Sequence, residues 1–322
     1  MSNELSYPTR YLPPAEPAGR VWSVPAPPRR FRHRFGRHII LFLLTLATTT
    51  LVGQGHYAAF LSEFGNRTVE PTLSNVTWGL WYSLTILGIL GAHEMGHYLA
   101  CRIYKVDATL PYFLPLPPPF WTGTLGAVIR IREAFPTRTV LFDVGIAGPI
   151  AGFAALIPAL LYGLSLSTIV PAPPESAELI YLGEPLLFKG AAWLMFGTVP
   201  EGYTLNMHPM VFASWFGMLA TALNLLPFGQ LDGGHITYAT LGRWSTPISL
   251  ATVATAVVMT FFSSSWIVMT VMMLAMLAFL GARHPRVIYE YEPLGRGRVA
   301  LALFALLMLV LCFTPVPLAF TD

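Results

Sequence analysis

The 322-residue chain has few charged residues, since Lys, Arg, Asp and Glu together make up only 11% of it. An average soluble domain has about 25%. Hydrophobic residues account for 54% of the chain. This composition excludes an ordinary soluble domain and predicts a membrane protein with several spans.

Cysteine is nearly absent. The two cysteines, Cys101 and Cys312, lie in different apolar segments, and we expect both to be packing residues rather than a disulfide pair. The arginines cluster at the ends of apolar segments, without interleaved aromatic residues or a nucleic-acid-binding motif. We therefore expect no nucleic-acid partner.

The apolar segments approach the length of about 20 residues that crosses a bilayer. We place spans near residues 38–60, 78–101, 140–165, 208–228, 247–262, 264–281 and 299–318. The segment 247–281 can be read as one long span or as a hairpin about residues 263–265. With the hairpin, all but two of the 19 Lys and Arg residues fall on one side, which favours the hairpin and a cytosolic N-terminus.

The domain organisation follows from these spans. Residues 1–37 are rich in Pro and Arg and are predicted to form a cytosolic tail. Residues 38–322 form the membrane domain, with a core at about 78–240 and additional spans at about 247–318. The tail lacks the Ser-rich composition of a transit peptide, so we expect a multi-pass protein of a bacterial inner membrane.

An HExxH motif lies inside the second predicted span, at His93, Glu94 and His97. A helix turns about 100° per residue, so both imidazoles project from one face, about 6 Å apart along the axis. The two histidines can bind one metal ion while Glu94 contacts a water molecule beside it. Ionisable residues in a span are costly, which makes them functional candidates.

A second polar cluster, NLLPFGQLDGGH at residues 224–235, ends the fourth predicted span. Pro227 and three glycines break the helix there, and irregular backbone at this depth is tolerated where it lines a cavity. The break places Asp232 at the depth of the two histidines, where it can supply a third metal ligand. The charges of Zn²⁺, Asp232 and Glu94 would sum to zero.

The segment between the two clusters contains the proline-rich residues 111–120, which cannot be helical. Residues 123–132 alternate like a strand. This strand is either a template for a substrate strand, with Gly123, Thr124, Leu125 and Gly126 as candidate substrate-binding residues, or a plain connector hairpin. His56, near the outer end of the first span, is expected to be a packing or interfacial residue.

The combination of HExxH with NLLPFGQLDGG resembles the site-2 protease family of intramembrane zinc metalloproteases, in its compact form without a PDZ module. The resemblance covers residues 92–235, including GTLGAVIRI and FDVGIAGPIAG. It implies one zinc ion per chain bound by His93, His97 and Asp232, with Glu94 as general base and Asn224 near the substrate carbonyl. The implied partners are single-span or other transmembrane substrate proteins and the lipid bilayer.

The expected fold is therefore an all-α polytopic membrane protein. It has about seven transmembrane helices, a short membrane-associated β-hairpin or strand, and a Pro-rich re-entrant loop near the active site. Two other functions remain open. A divalent-metal transporter would release its metal and depend weakly on Glu94, and a non-catalytic scaffold would bind zinc only for stability.

Overall fold

The computed structural model describes residues 33–65, 67–173, 180–281, 287–289 and 293–320. Most of the predicted N-terminal tail, residues 1–32, lies outside this part. The helices are α1 (Phe35–Ser62), α2 (Leu80–Ile103), α3 (Arg138–Ser165), α4 (Leu186–Phe196), α5 (Pro209–Leu225), α6 (Asp232–Leu241), α7 (Ser245–Met259), α8 (Ser265–Leu280) and α9 (Arg296–Cys312). A 3-10 helix, Leu73–Gly79, leads directly into α2.

Among the described residues, three helical segments are long and apolar enough to cross a membrane: Phe35–Ser62, Leu73–Ile103 and Arg138–Ser165. The helices α5, α7, α8 and α9 occupy the positions of the other four predicted spans, but they contain only 15 to 17 residues. The mainly helical fold is thus confirmed, whereas the count of seven spans stays a prediction.

The expected hairpin within residues 247–281 is present as two separate helices. α7 ends at Met259 and α8 begins at Ser265. The hydroxyl of Thr270 donates to the carbonyl of Ala256 across the pair, at 3.0 Å. The chain therefore folds back on itself here rather than continuing as one long helix.

The described residues also contain six short strands: β1 (Tyr112–Pro115), β2 (Thr124–Val128), β3 (Thr168–Pro171), β4 (Ile180–Leu182), β5 (Tyr203–Asn206) and β6 (Leu318–Phe320). They form three antiparallel pairs, β1 with β2, β3 with β5, and β4 with β6. The proline-rich segment contains β1 and the predicted strand contains β2, so the two segments form one hairpin. This hairpin lies along α1.

One end of the helix bundle is held by charged and polar contacts, and we call it the basic side. The Asp143 carboxylate near the start of α3 accepts hydrogen bonds from Nε and Nη2 of Arg298 at 2.8 and 2.6 Å. It also accepts a hydrogen bond from the Tyr104 hydroxyl. This hydrogen bond raises the pKa of Tyr104. His33, just before α1, contacts the Tyr98 hydroxyl at 3.1 Å. The ends of α1, α2, α3 and α9 therefore meet here.

The opposite end, called the far side, is organised around His208 at the start of α5. Its ring packs edge-on against the rings of Tyr57, Phe60 and Trp81, which belong to the end of α1 and the start of α2. Its backbone N–H donates to the Ser167 hydroxyl just after α3, at 3.0 Å. Successive long helices thus run in alternating directions between the two sides.

The helices α2 and α3 are in close contact where small residues face each other. A Cβ added to Gly96 would lie only 2.9 Å from the Cβ of Ala151. Leu156, on the next turn of α3, is fully buried with Trp215 and Met218 of α5. Small residues at such crossings let helix backbones approach in membranes. This approach brings the HExxH motif against α3.

We predict that the Asp143–Arg298 ion pair stabilises the basic side measurably. Arg298→Ala leaves a carboxylate that is only 18% exposed without its bidentate partner, so unfolding free energy should fall by about 1.5 to 3 kcal/mol. Thermal unfolding in detergent measures the effect. Arg296→Ala, at an exposed arginine two residues earlier, is the control, and equal stability of the two variants would contradict the prediction.

Candidate metal centre

The two histidines of the HExxH motif converge inside the protein, as their helical spacing predicts. His93 and His97 are 6% and 7% exposed. Their Nε2 atoms lie 3.1 Å apart. Both nitrogens point to one spot beside α3, deep within the bundle.

Asp232 reaches the same spot because α5 is broken before it. α5 ends at Leu225, Gly229 adopts a positive φ of 52°, and the chain turns back so that Asp232 becomes the first residue of α6. A Cβ on Gly233 would overlap the carbonyl of Leu225, so only glycine allows this tight turn. The predicted helix break therefore delivers the carboxylate.

The distances among the three side chains fit a metal ion. Asp232 Oδ2 is 3.1 Å from His93 Nε2, and Oδ1 is 3.3 Å from His97 Nε2. Three ligands of a tetrahedral zinc ion, with metal–ligand bonds of 2.0 to 2.2 Å, would be separated by about 3.3 to 3.5 Å. Among the described residues, His93, His97 and Asp232 form a cluster that can hold a metal ion.

The hydrogen bond of His97 to α3 also supports a metal ion at this position. Its Nδ1 lies 2.7 Å from the carbonyl of Val144 in α3 and must donate to it. In the neutral ring, Nε2 then carries a lone pair that faces the Asp232 carboxylate. Two electron-rich atoms at this distance repel each other unless a proton or a cation lies between them, and a metal ion satisfies both.

Glycines of α3 make room for the imidazoles. A Cβ on Gly148 would overlap the His97 ring, and a Cβ on Gly152 would lie 3.1 Å from the Cβ of His93. Gly148 and Gly152 therefore shape the wall of the metal centre.

Glu94 and Asn224 both border the centre. Glu94 is 8% exposed, and its Oε2 accepts the backbone N–H of Ile129 at 2.8 Å. The Asn224 amide nitrogen lies 3.5 Å from His93 Nε2, at the limit of a hydrogen bond. The five residues singled out in the sequence are thus brought together, and Ile129, which sequence reasoning missed, joins them through its backbone.

The four candidate substrate-binding residues occupy different environments. Gly123 packs against α1, and the Thr124 hydroxyl donates to a β1 carbonyl at 2.8 Å. Leu125 is 69% exposed, and a Cβ on Gly126 would meet nothing within 4 Å. Leu125 and Gly126 are therefore accessible, while substrate binding by any of the four stays a prediction.

We predict that Gly148→Ala removes metal from the centre, because the new methyl group displaces the His97 imidazole. Metal content per chain, measured by elemental analysis of the purified protein, should fall at least tenfold. Gly88→Ala is the matched control, since its methyl group would point into open space on α2. Full metal occupancy in Gly148→Ala would show that the α3 wall is not needed.

Comparison with known proteins agrees with this geometry. Residues 81–268, which contain the whole centre, match peptidase family M50. "Probable zinc metalloprotease EGY1, chloroplastic" from Arabidopsis thaliana is 32% identical over 225 residues, covering 64% of this chain and 39% of the relative. "Probable zinc metalloprotease EGY2, chloroplastic" from the same plant is 30% identical over 255 residues, covering 76% and 43%.

The rice protein named "Probable zinc metalloprotease EGY1, chloroplastic" is 35% identical over 167 residues, covering 49% of this chain and 27% of the relative. The chain thus spans less than half the length of these relatives. No solved structure matches it significantly. The family match extends over more than half of the chain and confirms the resemblance to site-2 proteases, so the chain belongs to peptidase family M50.

Proposed function

We propose that this chain is a zinc metalloprotease that hydrolyses peptide bonds of membrane-spanning proteins within or beside the bilayer. The observation that carries the proposal is the convergence of three ligand atoms, 3.1 to 3.3 Å apart, beside a glutamate held by a strand. The similarity to chloroplastic proteins named as zinc metalloproteases supports the metal and the reaction class.

Zinc would be held by His93, His97 and Asp232, and it would supply Lewis acidity to water and to the substrate carbonyl. The chain's own residues bind and orient the reactants. The Val144 carbonyl fixes the His97 ring so that Nε2 faces the centre. The side chains of His93, His97 and Asp232 are only 7%, 9% and 13% exposed, so little bulk solvent reaches the ligand set and electrostatic interactions in the site are strengthened.

Glu94 is the proposed general base. Its carboxylate neighbours the ligand pair in the same helix turn, and the Ile129 N–H holds Oε2 at 2.8 Å. The second oxygen is then the one that accepts a proton from the attacking water and returns it to the leaving amine. A base held at one oxygen by a backbone donor keeps its orientation without a second side chain.

Asn224 is the proposed donor to the oxyanion. Its amide nitrogen is 3.5 Å from His93 Nε2, so its N–H groups reach the region beside the ligand set. A hydrogen bond that strengthens as negative charge develops lowers the barrier, commonly by about 2.7 to 4 kcal/mol.

The strand β2 is the proposed substrate-binding element. It pairs with β1 on one edge, and it leads to Ile129, which touches the base. Leu125 and Val128 are 69% and 48% exposed along it. A helical substrate hides its carbonyls in its own hydrogen bonds and must unwind first, and an extended chain can then pair with an exposed strand edge. Substrates with Gly or Pro in their spans should be preferred.

For the setting we propose a multi-pass protein with its N-terminus and the basic side in the cytosol of a bacterial cell. The contacts at the basic side support one shared location for the Arg-rich helix ends. The curated relatives are named as chloroplastic, and the membrane location is supported by the three helical segments, among the described residues, that are long and apolar enough to cross a membrane.

The orientation is tested with an Arg296→Cys variant and a thiol reagent that does not cross membranes. The new cysteine should stay unlabelled in intact cells, and its labelling there would overturn the cytosolic placement of the basic side.

The decisive experiment compares the wild type with Glu94→Gln on a co-expressed single-span substrate. We expect zinc to remain bound while cleavage falls by at least about 10²- to 10⁴-fold, because the amide cannot accept the proton. The exposed Glu201→Gln serves as control. Retained cleavage in Glu94→Gln would overturn the proposal, and metal flux through wild-type protein in vesicles would favour a transporter.

The same assay tests Asn224. Asn224→Ala should lower kcat by about 10²- to 10³-fold with little change in KM or zinc content, because its bond forms in the transition state. Thr221→Val, one turn earlier on α5, is the matched control, since its hydroxyl donates only within its own helix at 2.8 Å. A change in KM alone would assign Asn224 to substrate binding instead.

A further inference from the structure

The tip of the β1–β2 hairpin is held by side chains from two helices. Three consecutive backbone carbonyls there each accept a hydrogen bond from a different side chain. The bonds run from His56 Nε2 to Trp121 at 2.9 Å, from the Tyr82 hydroxyl to Thr122 at 2.9 Å, and from the Thr48 hydroxyl to Gly123 at 2.7 Å. We call Thr48, His56 and Tyr82 the tip clamp.

The hairpin reaches from one side of the bundle towards the other. At its base, His38 in the first turn of α1 bonds to the carbonyl of Pro111 at 3.0 Å. At its tip, His56 near the end of the same helix bonds to Trp121. The two histidines are 18 residues apart in α1, so the hairpin extends about 27 Å along it. The expectation that His56 is a packing or interfacial residue therefore missed this bond.

The tip clamp supplies hydrogen-bond donors to irregular backbone that lies beside α1. Within a bilayer, irregular backbone must find partners for its polar groups inside the protein. Residues 117–119 are prolines, which have no N–H to satisfy. The carbonyls that follow them do need donors, and the tip clamp supplies three.

Gly123 makes the contact with α1 possible. Its φ is +67°, and an added Cβ would lie 2.7 Å from the Cα of Thr49. The backbone of the hairpin thus touches the backbone of the helix at the residue that immediately precedes β2. Because β2 then continues to Ile129, the fixed tip is directly connected to the segment that holds Glu94.

We propose that Thr48, His56 and Tyr82 are positioning residues, which fix the depth of the hairpin and so place β2 and Ile129 relative to the metal centre. This inference rests on the proposed proteolytic function. Since one residue of strand spans about 3.3 Å, a small slide of β2 along α1 changes which substrate bond lies at the centre. The tip clamp would thereby set the position of cleavage.

The test uses variants that differ by single hydrogen-bond donors. Thr48→Val and Tyr82→Phe remove a hydroxyl with little change of shape, and we combine them in a double variant. Thr48→Ser keeps the donor, and Thr85→Val removes a buried hydroxyl that bonds only within α2. These two are the matched controls. His56→Leu and His56→Gln form a second pair, in which Gln retains an N–H donor.

Two readouts are measured on intact protein in detergent. Hydrogen exchange of the hairpin amides, residues 112–128, reports tip attachment whether or not the protein cleaves a substrate. Mass spectrometry of cleaved single-span substrate reports the rate and the cleaved bonds. We expect faster hairpin exchange in the double variant and in His56→Leu, with a kcat lowered about 10- to 100-fold at unchanged zinc content. New cleavage sites should appear one or two residues from the main site.

The outcomes separate the two proposals. Unchanged exchange in the double variant would overturn the tip clamp itself. Faster exchange with unchanged kcat and cleavage sites, or a uniform loss of activity without new sites, would overturn its positioning role. If wild-type protein cleaves no substrate while exchange still responds, the proteolytic function fails and the attachment of the hairpin stands.

Discussion

The structure depends on bringing two imidazoles and a carboxylate within about one ligand spacing of each other in an apolar helix bundle. Burying these groups separately would be costly, and burying Asp232 unpaired even more so. A divalent cation converts the cluster into a set of mutual attractions, and with Glu94 nearby the charges balance. The face of α3 that borders the centre is lined by glycines, because only a glycine at position 148 leaves space for the His97 ring. The polar centre and the small residues at the α2–α3 crossing, such as Gly96, therefore require the same close approach of the two helices.

The second constraint concerns backbone rather than side chains. A strand near the base is useful because it presents N–H and carbonyl groups, but the same groups must be satisfied where water is scarce. The β1–β2 pairing satisfies one edge, prolines eliminate donors at the tip, and α1 and α2 donate to the carbonyls of residues 121–123. Many polar groups of the hairpin are thus paired, while β2 has β1 as its one strand partner among the described residues.

The sequence singled out His93, His97 and Asp232, whose ligand atoms the structure places 3.1 to 3.3 Å apart, because each signal was local. The orientation of His93 and His97 follows from helix geometry. Pro227 and the following glycines predict a helix break, which places Asp232 beside the two histidines. The contacts that orient these residues could not be predicted, because they join distant segments through backbone atoms. His97 meets Val144, and Glu94 meets Ile129, through a carbonyl and an amide that any residue type would carry.

The position of the proline-rich segment also depends on contacts with distant residues that the sequence could not predict. Its composition excluded a helix and indicated a re-entrant loop, yet nothing local indicated that its tip would dock near His56. A histidine on the far side was reasonably expected to be interfacial, because polar residues at span ends usually are. In the structure, the hairpin runs along α1 from His38 to His56, which are 18 residues apart in that helix of 28 residues. His56, on the far side, therefore contacts the same hairpin that provides the strand beside Glu94, so one hairpin links the two sides of the bundle.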